Sequence, residues 1–571
     1  MERLLKSLFT VLLLLFSIVI IGIHQYGLFP AVLVFALISL GLVLVAAVLF
    51  RTPVMASITF IIGVAVIYRL IVFLYPATLI GVDTDKKAYW TSEVLRVGST
   101  DGIRSDFYQQ APLYHIHSAS IAEIANISVI DSFVIYPLLS GIIVPLTSAI
   151  LVRLIIPGNS DVPSVIAATI AAVSTAVMQQ SYWPIAQTFS LFVWCIFIIS
   201  LALYLKRRPQ KQLLILTLCV VSLVYSHKLP LVLVLGLLAA TGIALYLVRS
   251  ESSSTGVSIQ ERPELSMFVL CGLILFLHWG YVSYYMDDVI RRITVLFASG
   301  SASAPSAPSI PTAVDPVNPG LIGQTIAYPN SLSLFFERSH AVVLLLVAGG
   351  CWAYIAYELY TGRRLEKETT SLVLGGAAFG VILTALGVIS IGALNPNRPL
   401  MMIEPLLAVI IAITVYSFLW GRQNIGHYLG VFVVVLLLIT QLFAAPAIPD
   451  YPNTPRYYLT ADEVEGKSFG CEYMNETIHT DYYSYQERFI NGEHCDAYYP
   501  MDRGYSDSPL FNGTVTEKDF NTIAYRPSVD VYLGTHSRWK LNWDIESELD
   551  AEYSRTYNNG GFYLYHNQTH I

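Results

Sequence analysis

Charge is scarce in this 571-residue chain: Asp, Glu, Lys and Arg make up 13% of it, against about 25% in ordinary soluble domains. That excludes a soluble globular protein. A hydrophobic share of 55% and a mean hydropathy of +0.59 mark a polytopic membrane protein. A basic excess is also lacking, with 33 Lys+Arg against 40 Asp+Glu and a net charge of −7. Nothing here is built to neutralise a phosphate backbone, so no nucleic-acid partner is expected. Six cysteines are too few for a disulfide scaffold, and none has a CxxC or other zinc-type spacing, which disfavours a structural metal.

What is present are long apolar runs. A helical span needs roughly 20 apolar residues, and about thirteen such stretches can be read: 4–23, 29–50, 54–79, 131–153, 162–181, 185–205, 212–226, 229–248, 265–286, 340–360, 371–392, 399–420 and 426–445. The first lacks a small-residue cleavage site before His24 and is read as a retained anchor rather than a secretory signal. With the N-terminus cytoplasmic, the loops on that side carry Arg3, Lys6, Arg51, Arg153, the group Lys206 to Lys211, Arg249, Arg262, Arg363, Arg364, Lys367 and Arg422. Short loops on the other face hold few cations, notably Lys228 and Arg398, as the positive-inside rule asks. An odd number of spans then leaves the C-terminus extracellular, on a multi-pass protein of the plasma membrane.

The division expected is a transmembrane domain over 1–446 and an exterior domain over 447–571, α/β or mainly β. The second part holds 9 Lys+Arg and 20 Asp+Glu, a net of −11 that leaves +4 for the membrane part. Its sequons at Asn475, Asn512 and Asn567 suit an exterior location. Cys471 and Cys495 are read as a disulfide candidate there, with two independent thiols the alternative in a reducing compartment.

Two inter-span connections are long, 80–130 and 287–339, and both fall outside. The first begins Gly81-Val82-Asp83-Thr84-Asp85-Lys86-Lys87 and continues to Tyr108-Gln109-Gln110-Ala111-Pro112-Leu113-Tyr114-His115-Ile116-His117. Apolar residues at helical spacing, Ala88 to Val97 and Leu113 to Ile124, predict two short helices lying on the membrane surface. Asp83 and Asp85 stand at the exit of the third span, where a bare carboxylate needs water, a cation or a substrate. Asp83 also reads as an N-cap, and either carboxylate also suits a general base toward a hydroxyl. Elsewhere on this face stand Gln187 beside Trp183, an interface-belt residue; Ser226-His227-Lys228; Arg291 and Arg292 after the ninth span; and Arg398 before Pro399. Lys228 and Arg398 also read as snorkelling anchors, and Glu404 as either paired with a cation or functional. The Ser/Ala/Pro stretch 299–308 reads as a linker, or as a lid beside a site.

Asp83-Thr84-Asp85 followed by Ala88-Tyr89, then Ala111-Pro112-Leu113-Tyr114, then Arg398-Pro399-Leu400 resembles the membrane-embedded glycosyltransferases of the GT-C fold. Those enzymes, protein O-mannosyltransferases and bacterial aminoarabinose transferases among them, take sugar from a polyprenyl-phosphate carrier. The resemblance spans roughly residues 54–420 in organisation but only these motifs in sequence. It departs in having Asp-Thr-Asp for the usual Asp-Glu pair, which leaves open whether Asp85 or Asp83 is the base, and two further spans precede the acidic loop. The Trp-Trp-Asp motif of oligosaccharyltransferases is missing, Asn542-Trp543-Asp544-Ile545 being the nearest string, so transfer of a single sugar is expected over transfer of a whole oligosaccharide.

The resemblance implies a GT-C-like bundle whose catalytic residue is Asp85 or Asp83, with Arg398, Lys228 and Arg292 for the donor phosphate. Tyr108, Gln110, Tyr114, His115, His117, Gln187 and Glu404 are the expected substrate contacts. The implied partners are a dolichyl- or polyprenyl-phosphate sugar, mannose favoured, and a glycan or glycoprotein acceptor within a lipid bilayer. No cofactor is required, although an Asp-x-Asp string also suits a divalent metal. The acidity of the exposed part fits a high-salt archaeal surface. The rival class is a transporter or flippase of lipid-linked saccharides, which predicts inverted repeats and charges near the midplane; no repeat is found, and the ionisable residues gather at exterior helix ends.

Overall fold

A computed structural model describes residues 53–567 except 74–76, 82–83, 159, 208–209, 250–262, 299–321, 326–330, 362–364, 390–396, 420–423, 445–458, 482–483, 486–488, 491–492, 502–514, 516–519, 528–530, 534–537 and 542–543, together with five positions between 36 and 43. Helices dominate up to residue 444. In order they are α1 Val54–Phe73, α2 Thr84–Val97, α3 Asp106–Gln110, α4 Leu113–Ala125, α5 Val129–Ile155, α6 Asp161–Ala172, α7 Thr175–Tyr182, α8 Ala186–Arg207, α9 Gln210–Val224, α10 Lys228–Arg249, α11 Pro263–Leu277, α12 Tyr285–Ala298, α13 Ser331–Tyr360, α14 Lys367–Ile389, α15 Asn397–Leu419 and α16 Asn424–Ala444.

Seven helices among the described residues are long and apolar enough to cross a membrane, and four shorter apolar ones lie at Val54–Leu70, Asp161–Ala172, Gln210–Val224 and Tyr428–Leu442. These coincide with eleven of the thirteen expected stretches; the first stretch and most of the second lie outside the described residues, as does the Ser/Ala/Pro stretch. α15 is the most enclosed, 89% of its apolar window being buried in the bundle. Pro405 within α15 cannot donate to the helix ladder. Neighbours engage carbonyls around it, Trp194 Nε1 donating to Met402 O at 2.7 Å and Ser148 Oγ to Pro405 O at 3.0 Å.

Two expected spans are interrupted. The stretch 162–181 is two helices, because the chain breaks at 173–174 and the freed amides find acceptors on other helices. Thr175 N–H donates to Gln441 Oε1 of α16 at 2.9 Å, while Ala176 and Val177 donate to the two oxygens of Glu404 on α15, at 3.1 and 2.8 Å. Arg69, fully buried on α1, interacts electrostatically with the same carboxylate. Buried amides without acceptors are costly, so partners brought by tertiary packing decide where this helix can break. The stretch 265–286 ends in a π-turn at His278–Val282, after which Tyr284 takes a left-handed φ of +52° and the chain re-enters helix as α12.

The C-terminal unit consists of α17 Ala461–Tyr473, α18 Ile545–Glu552 and strands. With β1 (Ile322–Thr325) in the second long loop, the strands continue as β2 Ile478–Thr480, β3 Phe489–Ile490, β4 Glu493–His494, β5 Tyr498–Pro500, β6 Thr522–Tyr525, β7 Val531–Leu533, β8 Arg538–Leu541, β9 Tyr553–Asn558 and β10 Tyr563–Asn567. The main sheet is mixed, in the order β5-β2-β6-β10-β9, with β2 parallel to both of its neighbours. β1 pairs antiparallel with β8, stitching the second long loop to this unit. A capping box starts α17, Thr460 and Glu463 exchanging side-chain to backbone bonds. Behind it, buried Arg526 holds Asp481 through two hydrogen bonds of 2.6 and 2.9 Å. Burial alone would raise the Asp481 carboxyl, but this guanidinium keeps it below the usual carboxylate range. Cys471 and Cys495 are bridged, tying the last turn of α17 to the chain ahead of β5.

Candidate active site

The site is built where α1 leaves the bundle. Gly81 has φ +113°, and a Cβ there would stand 3.1 Å from the Trp183 ring, so only glycine fits both the backbone and the close approach. Thr84 closes the turn, its amide donating to Gly81 O at 3.2 Å and its hydroxyl to Ile80 O at 3.1 Å. α2 begins at once, with Asp85 in its first turn, where the helix dipole favours a carboxylate. Asp85 is 3% exposed. Asp83 lies outside the described residues, so its expected roles as cap or base are not located.

Lys87 follows, 7% exposed, an unusual fate for a lysine. Its ammonium lies 3.3 Å from the centroid of the Tyr108 ring and 4.4 Å from that of Trp90. Tyr108 belongs to α3, and Trp90 and Tyr108 both pack on the His115 imidazole, centroids 5.9 Å away. His115 is wholly buried, with Nδ1 bonded to Thr91 Oγ1 at 2.8 Å. Burial first, then the charge of Lys87, pushes its pKa well below the usual imidazole value.

The floor comes from the span ends. Tyr114 donates its hydroxyl to Pro184 O, and Leu113 N–H donates to Tyr225 O at 3.0 Å, tying the start of α4 to the chain just before α8 and just after α9. With its amide oxygen facing the guanidinium, Gln187 at the start of α8 accepts from Arg398 Nε at 3.1 Å and Nη1 at 3.3 Å. Lys228 opens α10, its ammonium 4.4 Å from the Tyr285 ring centroid. Between α9 and α10, His227 is buried, and its Nδ1 accepts the Leu229 N–H at 3.2 Å. Desolvation, followed by the charges of Arg398, Lys228 and Lys87 in that order, drives its pKa well below the usual value. The neutral ring, accepting at Nδ1, carries its proton on Nε2. Arg398, Lys228 and Lys87 are thus all close enough to act electrostatically on His227.

Of the expected residues, the fold brings Asp85, Lys228, Arg398, Gln187, Tyr108 and His115 to this face of the bundle. Gln110 is exposed and offers its carbonyl to His278 Nε2 at 3.4 Å. His117 sits behind the face, Nδ1 on the Tyr136 hydroxyl at 3.0 Å, and burial lowers its pKa. Glu404 lies apart, capping α7. The side chain of Arg292 is outside the described residues. Lys87 and His227 were not among the expected site residues, although each stands beside one, Lys87 two residues after Asp85 and His227 next to Lys228. Among the described residues no three His, Cys, Asp or Glu side chains gather as a metal site.

No family model matches this chain, and no curated protein does. Among solved structures, the chain is similar to the oligosaccharyltransferase of Archaeoglobus fulgidus in its apo form, at 11% identity over 89% of this chain and 71% of that one, with a TM-score of 0.48. It is similar to the archaeal oligosaccharyltransferase AglB from the same organism, in complex with an inhibitory peptide and a dolichol-phosphate, at 11% over 90% and 74%, TM-score 0.49. ArnT from Cupriavidus metallidurans bound to undecaprenyl phosphate is similar at 11% over 89% and 97%, TM-score 0.38. No residue role passes from those proteins to this chain.

Proposed function

We propose that the protein is a membrane glycosyltransferase that moves a single sugar, mannose favoured, from a dolichyl- or polyprenyl-phosphate carrier to an acceptor hydroxyl at the exterior membrane face. The observation that carries this reading is the convergence of Lys87, Lys228 and Arg398 on neutral His227, on the face where Asp85 lies buried at the bundle exit. A lipid-phosphate sugar presents its phosphate at the membrane surface and keeps its chain in the bilayer, and Lys228 and Arg398 stand in the first turns of apolar helices, where such a phosphate would meet them.

In the proposed reaction the acceptor oxygen attacks the anomeric carbon as the carboxylate of Asp85, or of Asp83, takes the hydroxyl proton. The bond from the anomeric carbon to the phosphate oxygen breaks, and its electron pair leaves with the phosphate. Arg398, Lys228, Lys87 and the Nε2–H of His227 stabilise that charge, which such preorganised donors do most strongly where water is excluded. Direct displacement inverts the anomeric centre, and the products are glycosylated acceptor and polyprenyl phosphate. With its amide oxygen turned to the guanidinium, Gln187 also helps to fix the orientation of Arg398.

The test is transfer of radiolabelled sugar from a panel of dolichyl- and polyprenyl-phosphate sugars, in membranes holding the intact chain or equal amounts of Asp85→Asn or Asp83→Asn. Loss of roughly 100-fold or more in one variant, with donor still bound, is expected of a general base. Undiminished transfer in both variants, or none from the intact chain with any donor, overturns the reading and favours a carrier of lipid-linked saccharides.

A further inference from the structure

A second concavity lies away from the cation cluster, between the exit of α1 and the C-terminal unit. Its volume is about 530 Å³, within the roughly 300–1,000 Å³ of small-ligand sites. One face of α17 supplies Glu465, Ser468, Phe469 and Glu472, and Tyr473 and Tyr557 complete an aromatic side. The Phe469 ring is stacked on Tyr557, centroids 4.5 Å apart at 25°, and lies 4.7 Å from Tyr473. These rings do not serve the domain core alone, since Tyr473 is 60% exposed. The opposite lip is Ala77, whose N–H donates to Leu459 O at 3.0 Å while Leu459 N–H returns to Thr78 Oγ1 at 2.9 Å. The concavity is thereby fastened to the segment that runs through Gly81 to Asp85. The Cys471–Cys495 bridge holds the helix end that carries Tyr473.

The geometry points to a binding groove for a neutral oligosaccharide, made by the Phe469–Tyr473–Tyr557 platform and the carboxylates of Glu465 and Glu472; it rests on the transferase reading for its role as the acceptor's seat. Sugar rings offer C–H faces that pack on aromatic rings and a rim of hydroxyls that donate to carboxylates, and a pocket with both features suits that chemistry. Glu465 and Glu472 are seven residues apart on one helix, a rise of roughly 10.5 Å. That exceeds the width of one ring, so they address different units of a chain. The same carboxylates, in a segment of net charge −11, repel phosphorylated or uronic ligands.

The experiment titrates neutral trisaccharides of mannose, glucose and galactose, without donor, against the full chain in detergent by saturation-transfer NMR, and repeats it with Tyr473→Ala and with Glu465→Gln/Glu472→Gln. At least one trisaccharide binds, each variant weakens it by roughly tenfold or more, and a uronic trisaccharide binds more weakly than its neutral counterpart. In the transfer assay, Tyr473→Ala raises the KM for a trisaccharide acceptor and leaves kcat in place. No binding by any neutral trisaccharide, equal binding in the variants, or preferential binding of a basic peptide overturns the groove. Trisaccharide binding that the variants weaken, with no transfer from any donor, removes the transferase reading and keeps the groove. Full transfer with an unchanged acceptor KM in Tyr473→Ala removes the groove and keeps the transferase.

Discussion

The Lys87 ammonium rests 3.3 Å from the centroid of the Tyr108 ring, so a buried cation on α2 is held by an aromatic ring on α3 and kept near His227. The negative face of the ring quadrupole attracts the ammonium, so the ring fixes where this cation stands.

Lys87→Met removes that charge while keeping the length of the side chain. The KM for a polyprenyl-phosphate sugar is expected to rise roughly 10- to 100-fold, as the loss of one charge-assisted bond to phosphate implies. Lys87→Arg restores part of it. A donor titration with an unchanged KM in Lys87→Met removes Lys87 from the phosphate site.

Arg398 and Gln187 should act as one unit. Arg398→Lys loses the fork that Gln187 fixes, and kcat/KM is expected to fall about 10- to 100-fold. Gln187→Ala alone falls less, and the double variant is no worse than Arg398→Lys, because neighbours sharing one interaction are not additive. Additive losses would mean that Gln187 contacts substrate independently.

Acid should destabilise the protein through His227. Its folded pKa is lowered by burial and by three cations, whereas the unfolded imidazole titrates near about 6.5. Unfolding therefore takes up a proton below that pH. The contribution falls as pH drops through about 6.5, by up to about 1.4 kcal/mol for each further unit until the folded ring also titrates. Thermal unfolding in detergent between about pH 7 and 5 should show a shallower decline for His227→Gln, with His115 retaining its own share. An identical decline would place His227 in contact with solvent.

The Cys471–Cys495 bridge closes a loop with a sequence separation of 24. Replacing both residues with Ser should cost the C-terminal unit roughly 3 kcal/mol, chiefly through the freed unfolded chain. Limited proteolysis should then cut between residues 474 and 494 at protease levels that leave the parent whole, and equal resistance in both proteins would contradict the cost.

How far the chain could be read in advance follows from which forces are local. Hydropathy marks a span directly, and the run read at 131–153 is the helix Val129–Ile155. A carboxylate at a span exit is conspicuous for the same reason, which is how Asp85 stood out. The break at 173–174 was not legible, because its acceptors, Glu404 and Gln441, come from helices more than 200 residues later. Glu404 itself had two readings, a partner for a cation or a functional group; its amide bonds show it serving the backbone of α7, with Arg69 nearby. Trp183, read as an interface-belt residue, also packs over Gly81, a contact that depends on how α7 meets the exit loop. Lys87 and His227 were named within their segments but given no role, because their meaning lies in convergence: three cations come near His227 only when α2, α10 and α15 are assembled.

The fastening of α7 has a mechanical consequence. Its amides are riveted to Glu404 and Gln441, and its far end meets the exit loop, where Trp183 covers Gly81 and Pro184 receives the Tyr114 hydroxyl. The short helix is thus a strut loaded at both ends, unable to slide or turn without dragging two enclosed neighbours. Any displacement near the exit loop is then taken up by the connections around the strut rather than by the strut itself.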